Sequence, residues 1–407
     1  MQFAPAPTSR NESHPRPDPG FLVNIFPMTR VICLAIAAIL HCGLVHAQTD
    51  CLRGFQNPQD KYPHTTAQPA GAPFAFKVAE MPLGGVKYRA RGESGDLTLD
   101  EYLKKFCTTG LLVLKDDTIV FERYLQRHDA SDRLLSASVS KTILSLLIGI
   151  AIDEKKLALG DKVRTILPDF KDSAFADATV EDLLRMSSGA ALVQGYEVGR
   201  FSDNFAINPM LEPFRDAREF LRGKKEQAGK PGTIFAYNGA QTAVLGLMLA
   251  ERVGGSLTAY LEEKLWKPMG AESKAHWLQN RHGQEGAQGF FVATLRDYAR
   301  LGYLVMNQGR INGKQVVPAS WIASMVELRR DKPQPVSVPY YGLHIWIPQA
   351  AGGRSFLWGT NGQNIFVDPI ARVVIVHTGN SPKAEFHGNG HLFPLRDAVT
   401  RYLAAGK

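Results

Sequence analysis

Between residues 136 and 153 the chain reads SASVSKTILSLLIGIAID, so that hydroxyls and one lysine stand at the mouth of a segment that then turns almost wholly apolar. A helix with no polar face belongs in an interior, and this run predicts one. Just before it, GLLVLKDDTIVFERYL (110–125) places two apolar stretches around Lys115-Asp116-Asp117, the pattern of a β-hairpin. TVEDLLRMSSG (179–189) predicts a short capped helix ending at Gly189, and 242–254 and 294–309 carry helical periodicity. Strand patterns return late, in YGLHIWI (341–347), NIFVDP (364–369) and RVVIVHTG (372–379), before a last helix near 396–405. Strands at both ends with helices between them predict one α/β layer closed by distant segments, with a helical region inserted.

At 407 residues and 44% hydrophobic, the chain has material for a large core or two domains. Its formal net charge of +8 is scattered, with clusters no larger than Lys224-Lys225, so a nucleic-acid face is not expected. From Met28 the sequence has a basic start at Arg30, an apolar stretch and small residues at Val45 and Ala47, the layout of a secretory signal cleaved before Gln48. The apolar stretch, about 15 residues, is too short to span a bilayer comfortably, so no stable membrane anchor is expected and the location is periplasmic or secreted. The expected organisation is upstream residues and signal over 1–47, an N-terminal arm over 48–84, and one domain over 85–407. Within that domain an α/β part covers about 85–180 and 286–407, around a helical insertion at about 181–285. Removing the signal takes Cys33 and Cys42 with it, and the remaining Cys51 and Cys107 are expected to pair.

Ser138 and Lys141 are three apart, which on a helix puts both on one face. A serine hydroxyl becomes a nucleophile when a neighbour takes its proton, and a lysine can do so when desolvation destabilises its ammonium. The apolar continuation supplies that desolvation, and the N–H groups of the helix start can stabilise an oxyanion beside Ser138. The alternative is an N-capping serine with a snorkelling lysine. His387 and His391 have metal-ligand spacing but no carboxylate partner, so neither metal nor cofactor is expected, and a Gly-x-Ser-x-Gly elbow is absent.

Ser138-x-x-Lys141 at the start of an apolar helix resembles the serine β-lactamase and penicillin-binding-protein superfamily. PGTIFAYNGAQTAVLGLML (231–249) resembles the tyrosine motif of class C β-lactamases, related carboxylesterases and 6-aminohexanoate-dimer hydrolases. The resemblance implies a β-lactamase/transpeptidase-like fold, an antiparallel sheet flanked by helices, and a phenol at Tyr237 sharing a proton with Lys141 and Ser138. A phenol beside an ammonium is expected to have a lowered pKa. Gly239 stands where the strict Tyr-x-Asn form has asparagine, and Asn238 comes one residue early. Ser202-Asp203-Asn204 has the letters of the class A motif but is read as pocket wall. Two stretches compete for the substrate strand. Trp358-Gly359-Thr360-Asn361 is preferred to His377-Thr378-Gly379 on order along the chain, with a backbone N–H near Thr360 or Asn361 as second oxyanion donor. Tyr196, Asp203, Asn238, His344 and Trp346 are the candidate substrate-binding residues.

These readings imply a serine hydrolase cleaving a small-molecule ester, amide or peptide-like substrate through an acyl-Ser138, closest to the esterase and 6-aminohexanoate-oligomer-hydrolase branch. The alternatives are a class C-type β-lactamase or D-amino-acid peptidase, and a non-catalytic relative that binds peptidoglycan or a partner protein on the same scaffold.

Overall fold

The computed structural model describes residues 51, 55–193, 202–336, 339–349, 352–382 and 389–406; the expected signal segment and Tyr196 lie outside them. The strands that organise the molecule are β1 (Lys77–Val78), β2 (Thr108–Lys115), β3 (Thr118–Tyr124), β4 (Tyr340–Tyr341), β5 (Trp346–Ile347), β6 (Ser355–Trp358), β7 (Asn364–Asp368) and β8 (Val373–Gly379). They form one sheet in the order β4-β5-β6-β7-β8-β2-β3-β1. Neighbours are antiparallel except the edge pair β1 and β3. The sheet is therefore built from both ends of the chain, with β8 beside β2.

Its central strands read as unbroken apolar runs because both faces are covered. Side chains alternate, so Leu112 and Leu114 enter one core together with Val374 and Val376, while Leu111 and Val113 enter the other with Val373 and Ile375. The first core is filled by α2 (Val139–Asp153), α4 (Gly239–Val253) and α5 (Leu295–Met306). Side chains of α1 (Leu99–Lys105) and α6 (Asn389–Ala404) fill the second. A further helix, α3 (Val180–Leu184), packs against α4.

Caps define these helices much as their sequences imply. Thr98 and Thr179 form capping boxes with Glu101 and Asp182, Thr294 caps α5 from its side chain, and Gly254 closes α4 at φ 93°. Several expected boundaries move. The helix expected to reach Gly189 stops at Leu184, because Met186 adopts φ 56° and Ser187 folds back onto Asp182. The expected strand 341–347 is a tight hairpin of β4 and β5, turned around His344 at φ 56°. The last helix starts earlier, at Asn389, and tolerates Pro394 in its first turns. Within the stretch expected as a helical insertion, Ala275–Leu278 is instead a strand of a second, four-stranded sheet with 64–67, 134–135 and 291–293.

Cys51 and Cys107 form a disulfide across 56 positions of chain. Closing a loop of that size stabilises by about 4 kcal/mol in the chain-entropy picture. It fastens the arm to the start of β2, and Asn57 and Gln56 add hydrogen bonds of 2.8 Å each to the Asp132 carboxylate.

Helix α2 is buried on every side from Val139 to Ala151, and Gly149 lies flat against the indole of Trp321, which donates to Ser145 O at 2.9 Å. Alanine would gain up to about 1 kcal/mol of helix propensity there, against about 1–3 kcal/mol for overpacking. Gly149→Ala is therefore expected to lower unfolding free energy by about 1–2 kcal/mol net, read from the midpoint of urea denaturation.

Candidate active site

The site starts from the entry into α2. Ser136 donates its N–H to Phe291 O at 2.8 Å, which ties the approach to the second sheet. Ala137 then takes φ 44°, a left-handed conformation that a residue with a Cβ adopts at some cost. That turn delivers Ser138 to the N-cap position of α2. Its side chain makes no capping hydrogen bond, which removes the capping alternative, and its hydroxyl instead lies 2.7 Å from Lys141 Nζ.

Lys141 is 4% exposed. Its amine also donates to the backbone carbonyl of Gln288 at 2.5 Å, and burial alone pulls its pKa down to about 7. The amine sits 5.2 Å from the centre of the Tyr237 ring, so hydroxyl, amine and phenol meet in one crevice. The Tyr237 pKa moves opposite to the sequence expectation: burial pushes it up to about 12, with the Ser138 hydroxyl acting in the other sense. The expected lowering needed a neighbouring ammonium, and a lysine near 7 is half neutral at neutral pH. An amine in that state can accept a proton, and a phenol that keeps its proton can donate one.

The third wall is the end of β6. A Cβ placed on Gly359 would lie 2.7 Å from Ser136 O and 3.0 Å from Ala137 Cβ, so only glycine lets this strand reach the turn that carries Ser138. The competing His377-Thr378-Gly379 lies in β8, two strands away, with His377 1% exposed. The Gly359 N–H is taken by Gln363 O at 2.8 Å, and Asn361 adopts φ 62° within a short turn over Thr360–Gly362. Trp346 is partly exposed and packs on Tyr237 with ring centres 5.3 Å apart, and Trp358 continues the wall 5.6 Å beyond.

Three expected substrate contacts are structural instead. His344 is 1% exposed; its Nδ1 donates to Leu184 O at 2.8 Å, Nε2 lies 3.0 Å from Thr242 Oγ1, and burial lowers its pKa to about 3. It is a neutral tie between α3, α4 and the β4–β5 turn. Asn238 is the N-cap of α4, accepting from Ala240 N at 2.8 Å while donating to Val193 O at 3.1 Å. Asp203 is buried, accepts from Val193 N at 2.6 Å and pairs with Lys224, so its charge is spent inside the protein.

The departure at Gly239 has a steric reason. A Cβ there would collide with Asn204 Oδ1, which accepts the Gly239 N–H at 2.8 Å. The carboxamide of Asn204 thus fills the space beside Gln288 that a side chain at 239 would occupy. Gln288 itself was missed by sequence reasoning, since its part is played by a backbone carbonyl that every residue carries. His391 is engaged with Tyr88 OH at 3.2 Å, His387 lies outside the described residues, and those residues hold no cluster of three or more metal-ligating side chains.

The family model described as Beta-lactamase matches residues 98–395. This chain belongs to the β-lactamase family. A curated relative, the 6-aminohexanoate-dimer hydrolase of Paenarthrobacter ureafaciens, is 26% identical over 307 residues, covering 71% of this chain and 78% of the relative. Among solved structures, a Bacillus anthracis protein provisionally named a 6-aminohexanoate-dimer hydrolase matches with TM-score 0.76 and 23% identity over 87% of this chain and 93% of that one. A penicillin-binding protein from Bacillus halodurans has TM-score 0.57 and 17% identity, over 73% and 97%. The two structures establish the fold, and the family is one of serine hydrolases.

Because Lys141 must be neutral to accept a proton, kcat/KM is expected to rise with pH through an apparent pKa near 7, the value its burial sets. Tyr237→Phe is expected to lower kcat by about 100-fold while leaving the acid limb of that profile in place, measured with a p-nitrophenyl ester across pH 5 to 9.

Proposed function

We propose that the protein is an exported hydrolase of esters or amides that works through an acyl-enzyme on Ser138. One observation carries this reading: a buried amine, with its pKa near neutrality, lies 2.7 Å from the hydroxyl of a serine at a helix start. The Ser138 proton passes to neutral Lys141 as Oγ forms its bond to the substrate carbonyl carbon. The oxyanion is held by the N–H of Ser138, which helix geometry leaves without an intrahelical acceptor, and by the turn after Gly359. On collapse the leaving group departs with a proton supplied through Tyr237, and Lys141 restores the phenol. Water then attacks the acyl-serine with the same groups acting in reverse, releasing acid and free enzyme.

Within the family, the esterase and linear-amide branch is favoured over β-lactam hydrolysis. The similarity to a 6-aminohexanoate-dimer hydrolase supports it, as does the aromatic wall of Tyr237, Tyr341, Trp346 and Trp358 that flanks the nucleophile. Export is supported by the segment from Met28 and by the Cys51–Cys107 disulfide, a bond that persists in oxidising compartments.

A fluorophosphonate probe is expected to label the wild-type protein and not Ser138→Ala, and turnover of p-nitrophenyl butyrate and of a linear aminohexanoate dimer is expected to exceed that of nitrocefin. Absence of labelling would refute the hydrolase, and strong nitrocefin turnover without ester turnover would move the protein to the β-lactamase branch. Mass spectrometry of the protein from the cell envelope is expected to find Gln48 as the first residue.

A further inference from the structure

The turn over Thr360–Gly362 follows β6 but is not itself part of the sheet's hydrogen-bond ladder. Side chains hold it instead. Asn361 donates from Nδ2 to Ser381 O at 2.8 Å and receives Ser381 N on its own carbonyl at 3.1 Å. Gln363 grips Gly379 from both ends of its carboxamide, donating to the carbonyl at 2.6 Å and accepting from the N–H at 3.4 Å. His377 Nδ1 lies 2.7 Å from Gly362 O; a carbonyl only accepts, so Nδ1 carries the proton. Nε2 faces the hydroxyls of Thr108 at 3.0 Å and Tyr102 at 3.2 Å, which can donate to it.

The strand end that these residues grip is anchored in turn. Asn380 donates to Cys107 O at 2.8 Å. A Cβ on Gly379 would stand 3.0 Å from both Asn361 O and Cys107 O, so turn, strand end and disulfide-bearing residue are packed backbone to backbone. Cys107 is the residue bridged to Cys51.

Resting on the acyl-enzyme reading above, we propose that Asn361, Gln363 and His377 are positioning residues that aim the oxyanion donor of the 359–363 turn, and that the Cys51–Cys107 bridge steadies the strand end they hold. The His-Thr-Gly stretch then serves the reaction from behind the substrate strand. The clasp acts on the oxyanion and leaves the Ser138–Lys141 pair untouched. Loosening it slows every step with a tetrahedral intermediate and spares both substrate binding and the lysine's titration.

The test compares wild type with Asn361→Gly, which keeps the left-handed φ and deletes the side-chain bond, and with Gln363→Met, which keeps volume and deletes two. Both are expected to lower kcat for p-nitrophenyl butyrate by about tenfold or more, the scale of a displaced oxyanion donor. KM should stay within about twofold, fluorophosphonate labelling should slow in step with kcat, and the acid limb of the pH profile should not move. Reduction of the bridge with a phosphine is expected to produce the same signature in smaller measure. Should Gln363→Met fail to fold, Asn361→Gly decides alone, with its thermal melt as control. A wild-type kcat and labelling rate in the variants overturns the clasp, and so does a loss accompanied by a displaced acid limb. Undiminished kcat after reduction removes the bridge from it. A wild-type protein that takes no label overturns the hydrolase reading, and the clasp with it.

Discussion

A lysine amine held out of water is the constraint on which the rest of this structure turns. Burying an ammonium is costly, and a group in that position moves toward its neutral form. Lys141 does so because it sits on a helix buried on all sides, where among the described residues its amine meets the Ser138 hydroxyl, the Gln288 carbonyl and the face of Tyr237. No carboxylate is among these partners. An acidic neighbour would hold the charge and remove the base.

The same exclusion of water drives Tyr237 the other way. Burial disfavours the charged form of either group, which for an amine is the protonated state and for a phenol the deprotonated one. One environment therefore produces a base near neutrality and a phenol that keeps its proton, a division of labour that needs no charged third partner.

Precision in the crevice comes from backbone packing. Ala137 at positive φ, Gly359 against Ser136 O and Gly239 against Asn204 are places where chains approach more closely than a further side chain would allow. The strand end at Gly379 belongs to the same pattern, wedged between two carbonyls. Such contacts tolerate little movement, since protein interiors are close-packed and transmit displacement. The arm, through its disulfide to Cys107, thereby reaches the strand end packed against the 359–363 turn.

The sequence by itself determined that the Ser138 hydroxyl and the Lys141 amine meet out of water, because a three-residue spacing at the head of an apolar helix is a local fact that encodes proximity, burial and helix terminus together. It also gave away the sheet's central strands, whose unbroken apolar runs need two covered faces, and the cysteine pair. Tertiary structure alone decided what those local patterns leave open. Asp203, Asn238 and His344 are polar residues near the right segments, and only their partners across the fold show that they are spent on Lys224, a helix N-terminus and Leu184. The direction of the Tyr237 shift depended on how deeply the phenol itself is buried, which its residue type does not reveal. Gln288 contributes a carbonyl, and Asn204 fills a space defined by the absence of a side chain 35 positions away. Neither leaves a mark in residue type, because backbone groups are common to every position and steric fit exists only between segments already brought together.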